Sequence, residues 1–179
     1  MKSLTRLALL VSASIPATAL AQEPPAQPQE PRYLPMVREE LEHMGLQARC
    51  TTENANLGRC RYSYRSNSLG VTFDMVMEYS DESDTVYMWA NRYLMLPASS
   101  AHLLPTLRRM MEMNNEMLVG KLEWDPSDGE TRLGAVVSTD SNFDRRAFRS
   151  TVRALHVLCE RYFRELSALA RGEASPGRQ

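Results

Sequence analysis

The sequence predicts an α+β fold: an antiparallel sheet of about five strands packed against helices, in the order α-β-β-β-α-β-β-α. Three observations point there. Several segments between residues 47 and 96 alternate apolar and polar side chains with period two. Three other segments carry apolar residues at intervals of three and four. Turn-forming clusters separate them, and no repeat of fixed period occurs.

The first helix is read from Leu34, Val37, Leu41 and Met44, with Gly45 as its stop. A short strand covers Gln47–Thr52. In Arg59–Arg65, Cys60, Tyr62 and Tyr64 face one way and the arginines the other. Asn67–Gly70 turns the chain into Val71–Tyr79, where Val71, Phe73, Met75, Met77 and Tyr79 share a face. Asp81–Asp84 leads into Thr85–Leu96. There, alternation places Val86, Met88, Ala90 and Leu94 on one side and Tyr87, Trp89 and Tyr93 on the other. A strand apolar on both faces is either covered twice or presents aromatics to a partner, so Tyr87, Trp89 and Tyr93 form the candidate binding surface.

A second helix spans about Ala101–Met117, capped by Ser99 or Ser100, with Pro105 in its first turn. Its expected stripe is Leu103, Leu104, Leu107, Met110, Met111 and Asn114. Leu118–Trp124 and Thr131–Ser138 then read as a hairpin joined through Asp128-Gly129. A long helix begins near Ser141 or Asn142, with Ser141 and Asp144 resembling a capping box. Phe148, Val152, Leu155, Cys159, Tyr162, Leu166 and Leu169 form its inner stripe, and its outer face carries Arg145, Arg146, Arg149, Arg153, Arg164 and Glu160.

Residues 1–21 are read as a signal peptide: Lys2 and Arg6, an apolar run to Leu20, and the small-x-small pattern Ala19-Leu20-Ala21, with cleavage before Gln22. A Pro-rich linker (22–35), a single domain (36–170) and a frayed tail (171–179) follow. Cleavage removes two cations and leaves 19 basic against 22 acidic residues, which offers no general attraction to nucleic acid. After cleavage no apolar run is long enough to be an integral membrane segment, so a periplasmic or secreted location is expected. That compartment permits disulfides, and Cys50 and Cys60 flank a turn between two strands, where facing positions allow a bridge. Cys159, on an apolar helix face, is read as a buried inert thiol.

No catalytic, metal-binding or cofactor-binding constellation emerges. His43, His102 and His156 stand apart from one another and from the cysteines at metal spacing. The acidic clusters 81–84 and 125–128 lack the spacing of a calcium loop. The competing expectation is a small periplasmic hydrolase or ligand-binding enzyme whose site joins His102 or His156 to a carboxylate through folding.

The run Met113-Asn114-Asn115-Glu116, followed by Leu118–Trp124, Asp125–Gly129 and the closing helix, resembles the YbjN-like family over about residues 34–169. The resemblance implies a fold similar to type III secretion chaperones and a non-enzymatic, protein-binding role, chaperone-like or a regulatory adaptor, in a family often labelled a sensory transduction regulator; the leader makes the expected module an exported one. It also implies another protein or peptide as partner, and a possible homodimer. The export signal and the Cys50/Cys60 pair depart from the cytoplasmic relatives. Asn114 and Asn115 are assigned a structural role at the helix end, because Asn tolerates left-handed backbone and bonds to nearby backbone groups.

Overall fold

The structure, a computed structural model, describes residues 30–140 and 142–173. The fold class is the expected α+β, with nine elements: α1 (Leu34–His43), β1 (Arg49–Asn54), β2 (Leu57–Arg65), β3 (Thr72–Ser80), β4 (Thr85–Met95), α2 (Leu103–Glu116), β5 (Lys121–Trp124), β6 (Glu130–Ser138) and α3 (Arg145–Ala170). The sheet has six strands, antiparallel throughout, in the order β1-β2-β3-β4-β6-β5. All six segments read as strands join one sheet, one more than the five in the expected order, with the short strand before Cys60 forming its edge.

The core lies between one sheet face and the helices. Phe73, Met75, Met77, Tyr79, Val86, Met88, Ala90, Leu133, Ala135 and Val137 meet Phe148, Val152, Leu155, Cys159, Tyr162 and Leu166 of α3 and Leu34, Val37 and Leu41 of α1. The period-two and period-3.6 patterns thus find each other. Tyr33 and Leu34 belong to this core, so the packed chain begins ahead of residue 36 and the segment 22–35 is not linker to its end. Residues 1–29, including the proposed signal peptide, lie outside the described residues, as do 174–179 of the expected tail. Gly172 and Glu173 of that tail instead close α3 through backbone bonds to Leu169 and Ala168.

Three local expectations change. α3 starts at Arg145, with the Asp144 carboxylate accepting from the Arg146 and Ala147 N–H groups; Ser141 lies outside the described residues. α2 is rotated from its expected stripe: Thr106, Met110 and Met113 are buried, while Leu104 and Met111 are 77% and 67% exposed. Arg109 sets that rotation. Its guanidinium bonds Glu165 of α3 at 2.6 Å and also reaches Glu112 and Glu116. Finally, β5 begins at Lys121 rather than Leu118.

Cys50 and Cys60 sit directly opposite each other and are joined by a disulfide. Among the described residues no helix is long and apolar enough to cross a membrane. The deepest ionic contact is Glu40 of α1, 1% exposed, which accepts from Arg145 at 2.7 Å and from Arg149, both on α3. Burial alone would raise this carboxyl, but the two guanidiniums more than offset it and hold it below the usual carboxylate range.

Asn114 stabilises the free edge of β5. Its side-chain carbonyl accepts from the Leu122 N–H at 2.7 Å, and its amide donates to the Leu122 carbonyl at 3.0 Å. Asn114 is therefore structural, but it acts on the neighbouring strand rather than on its own helix end, which falls at Met117. Asn115 is exposed.

Two outcomes follow. Asn114→Ala leaves both polar groups of an edge residue without their partner, so urea unfolding should show a loss of about 1–3 kcal/mol; an unchanged midpoint would remove the clamp from the account. Glu40's folded pKa lies below its unfolded value, so its contribution is present above the ordinary carboxylate range and disappears as pH falls through the folded pKa. Glu40→Gln should lower neutral-pH stability by about 1–3 kcal/mol, less than for a fully buried pair because the guanidiniums remain partly in water. It should also flatten the acid limb of a stability-versus-pH curve, and an unaltered limb would contradict this.

Candidate functional site

The expected aromatic surface does not form as one unit. Tyr87 and Trp89 do share the sheet face away from the helices, stacked with ring centroids 4.8 Å apart. Tyr93 is on the other face. An irregularity in the β4–β6 register, where Ala90 faces Leu133 but Leu94 faces Thr131, leaves two extra residues on β4; with Arg92 at φ +47°, it breaks the alternation there and turns Tyr93 inward. The Glu130 carboxylate fixes it by accepting from the Arg92 N–H at 2.9 Å. Tyr93 then packs against Phe73 and Phe163 and donates its hydroxyl to the Cys159 carbonyl at 2.8 Å.

Trp89 is also no docking surface. It is only 6% exposed, beneath Tyr87 and the Arg132 guanidinium, which lies 5.6 Å from its ring. Tyr87 can lie flat across β6 because Gly134 is there; a Cβ at that position would come 3.0 Å from the Tyr87 ring. The Tyr87 hydroxyl donates to Glu123, and this face also carries the Arg59–Glu78 and Lys121–Glu123 pairs and the exposed Val136.

The histidines lead elsewhere. His156 Nε2 is hydrogen-bonded to the Tyr62 hydroxyl at 2.8 Å, and its ring stacks on Tyr64 at 3.8 Å. Glu160, one turn later, accepts from Tyr64 at 2.7 Å and from Ser68 at 3.2 Å. Burial pushes the His156 imidazole down to about 4, against the raising field of Glu160, and pushes the Cys159 thiol up to about 12. The imidazole is thus neutral and the thiol protonated at neutral pH. Each polar tip in this cluster points at another member, and the whole ties β2 to α3. The His102 backbone caps α2, and its ring makes no hydrogen bond to a carboxylate among the described residues. His43 approaches Glu40 at 3.8 Å from an exposed position. Among the described residues no three His, Cys, Asp or Glu side chains gather as metal ligands.

Several apolar side chains stay exposed, Leu104 and Met111 of α2 among them; the ones that face one another across a groove lie beside α3. α2 ends when Met117 turns extended, and Leu118, Val119 and Gly120 cross to β5. Asn114 holds the start of β5 against the last turn of α2, so this three-residue connection is displayed rather than buried. Leu118 is fully exposed and Val119 44% exposed. Facing them on α3 is Val157, 63% exposed, with Ala154 and Leu158 beside it. Together they line an open groove of about 400 Å³, with Arg153 and Arg161 of α3 along one side and Glu116 of α2 at its edge. Neither arginine makes an ion pair among the described residues; Arg161 lies over the Tyr162 ring.

The sequence reading missed this groove because it took Leu118 and Val119 as strand residues. Val157 could have been found: it is an apolar residue off the inner stripe of α3, four residues from an arginine on either side. Compared with known proteins, the chain matches no family model and no curated protein sequence.

Trp89→Ala should therefore act on folding, removing about 3–5 kcal/mol in chemical denaturation as buried tryptophan truncations do. A variant of undiminished stability would restore Trp89 to the list of surface residues.

Proposed function

We propose that this protein is an exported, non-enzymatic polypeptide-binding module of chaperone-like or adaptor type, akin to the YbjN-like proteins it resembles. The observation that carries the reading is the groove between Leu118-Val119 and Val157: contiguous apolar surface on a chain whose core is complete without it. Export is supported by the apolar leader with its basic start, and by the Cys50–Cys60 disulfide, which suits an oxidising compartment. In this reading the partner segment lays apolar side chains into the groove, in the manner of a helix or extended peptide seated on a preformed surface.

Leu118→Asp and Val157→Asp test it. Both positions face water, so thermal unfolding should stay close to that of the parent chain. Binding of the mature chain to an array of peptides with periodic apolar residues should fall by about tenfold or more in each variant. An array bound equally by parent and variants, or not bound at all, would reject the groove as the binding site.

A further inference from the structure

We infer that the groove beside α3 selects an apolar segment carrying carboxylates about 12 Å apart, and that it is not a self-association face. The inference rests on the binding reading above and adds the chemistry of the partner. Arg153, Val157 and Arg161 lie at successive intervals of four on α3, so the two guanidiniums bracket the apolar centre along one ridge. Their separation along the helix axis, eight residues at the usual rise, is about 12 Å. A partner helix presenting two Glu or Asp side chains seven or eight residues apart, with Leu, Ile or Val between, meets both cations and the apolar floor together. A single-headed amphiphile reaches only one of them.

The other occupants fit less well. Two copies joined by a two-fold axis through Val157 would set Arg153 of each against Arg161 of the other, an arrangement of like charges across an apolar contact. The chain's own ends offer no better match. Residues 22–29 (QEPPAQPQ) and 174–179 (ASPGRQ) contain no large apolar side chain. The apolar leader is preceded by Lys2 and Arg6, the wrong sign for this rim.

The test uses the full mature chain and three fluorescein-labelled synthetic helices with identical leucines. They carry two Glu, two Gln or two Lys side chains about eight residues apart. Fluorescence anisotropy should rank them Glu, Gln, Lys, with Glu about fivefold tighter than Gln at low salt and the gap closing as salt rises. The double variant Arg153→Glu/Arg161→Glu should invert the order in favour of the Lys peptide, with its thermal midpoint reported alongside. Equal affinity for all three would overturn the selection while leaving the binding reading intact. Failure of all three to bind, by contrast, would remove both. A concentration-dependent dimer that Val157→Asp dissolves would assign the groove to a second copy and overturn the inference.

Discussion

The constraint on which the rest of the structure depends is that all three helices lie on one face of the sheet. Strands β2, β3, β4 and β6 must therefore send their apolar side chains the same way, and α3 supplies the surface that receives them. The stripe from Phe148 to Leu166 lies across the strands, and Leu169, the last residue expected in it, is only half-buried outside the core. A sheet covered once needs a second face that tolerates water, and here that face is built from Arg–Glu pairs with Trp89 and Val76 shielded beneath them. Such surface pairs contribute little individually. Their service is to cover two apolar side chains that no helix reaches. The bulge at Arg92 follows from the same one-sidedness: it turns Tyr93 inward, where its ring and hydroxyl both find partners.

The two edges of the sheet are managed by different chemistry. Unpaired strand edges invite pairing with other chains. On the β5 side a carboxamide from α2 occupies both backbone groups of Leu122. At the other edge, β1 is largely exposed and buries little, and it is held by the disulfide to the core residue Cys60. On the loop-entropy account, closing so short a loop stabilises the chain by roughly 2–3 kcal/mol, which a strand with this little burial could not supply by packing. Glu40 does a comparable task between helices, drawing α1 onto the N-terminal turns of α3 with two guanidiniums.

Much of this was legible in the sequence because it depends on period alone. The inward faces of β2, of β3 and of β4 as far as Ala90, and the α3 stripe, follow from alternation and from steps of three and four. The Cys50–Cys60 bridge follows from a turn of suitable length. What was not legible depended on single long-range contacts. Tyr93 obeys the alternation on paper, and only the Glu130 bond to Arg92 tells otherwise. The rotation of α2 turns on Arg109 meeting Glu165, a pair separated by a strand hairpin in the chain. Asn114 was marked as structural by its type, yet its target lies eight residues on, across a loop that sequence alone assigned to the strand.

The start of β5 at Lys121 also decides which side chains are displayed. Had Leu118 and Val119 continued β5, their side chains would have alternated between the core and the solvated face, and no groove would exist. The Asn114 clamp stops the strand at Lys121 and leaves a three-residue apolar connection standing against α3. Leu118 and Val157 stay well exposed while the core beneath them, from Leu155 to Cys159 and Tyr162, is closed. Packing therefore gives no reason for apolar residues at these two positions, and polar ones would leave the fold as it is. Scattered apolar side chains on a surface need no reason. Apolar side chains that face one another across a groove, beside two arginines that form no ion pair among the described residues, are what the proposed binding reading rests on.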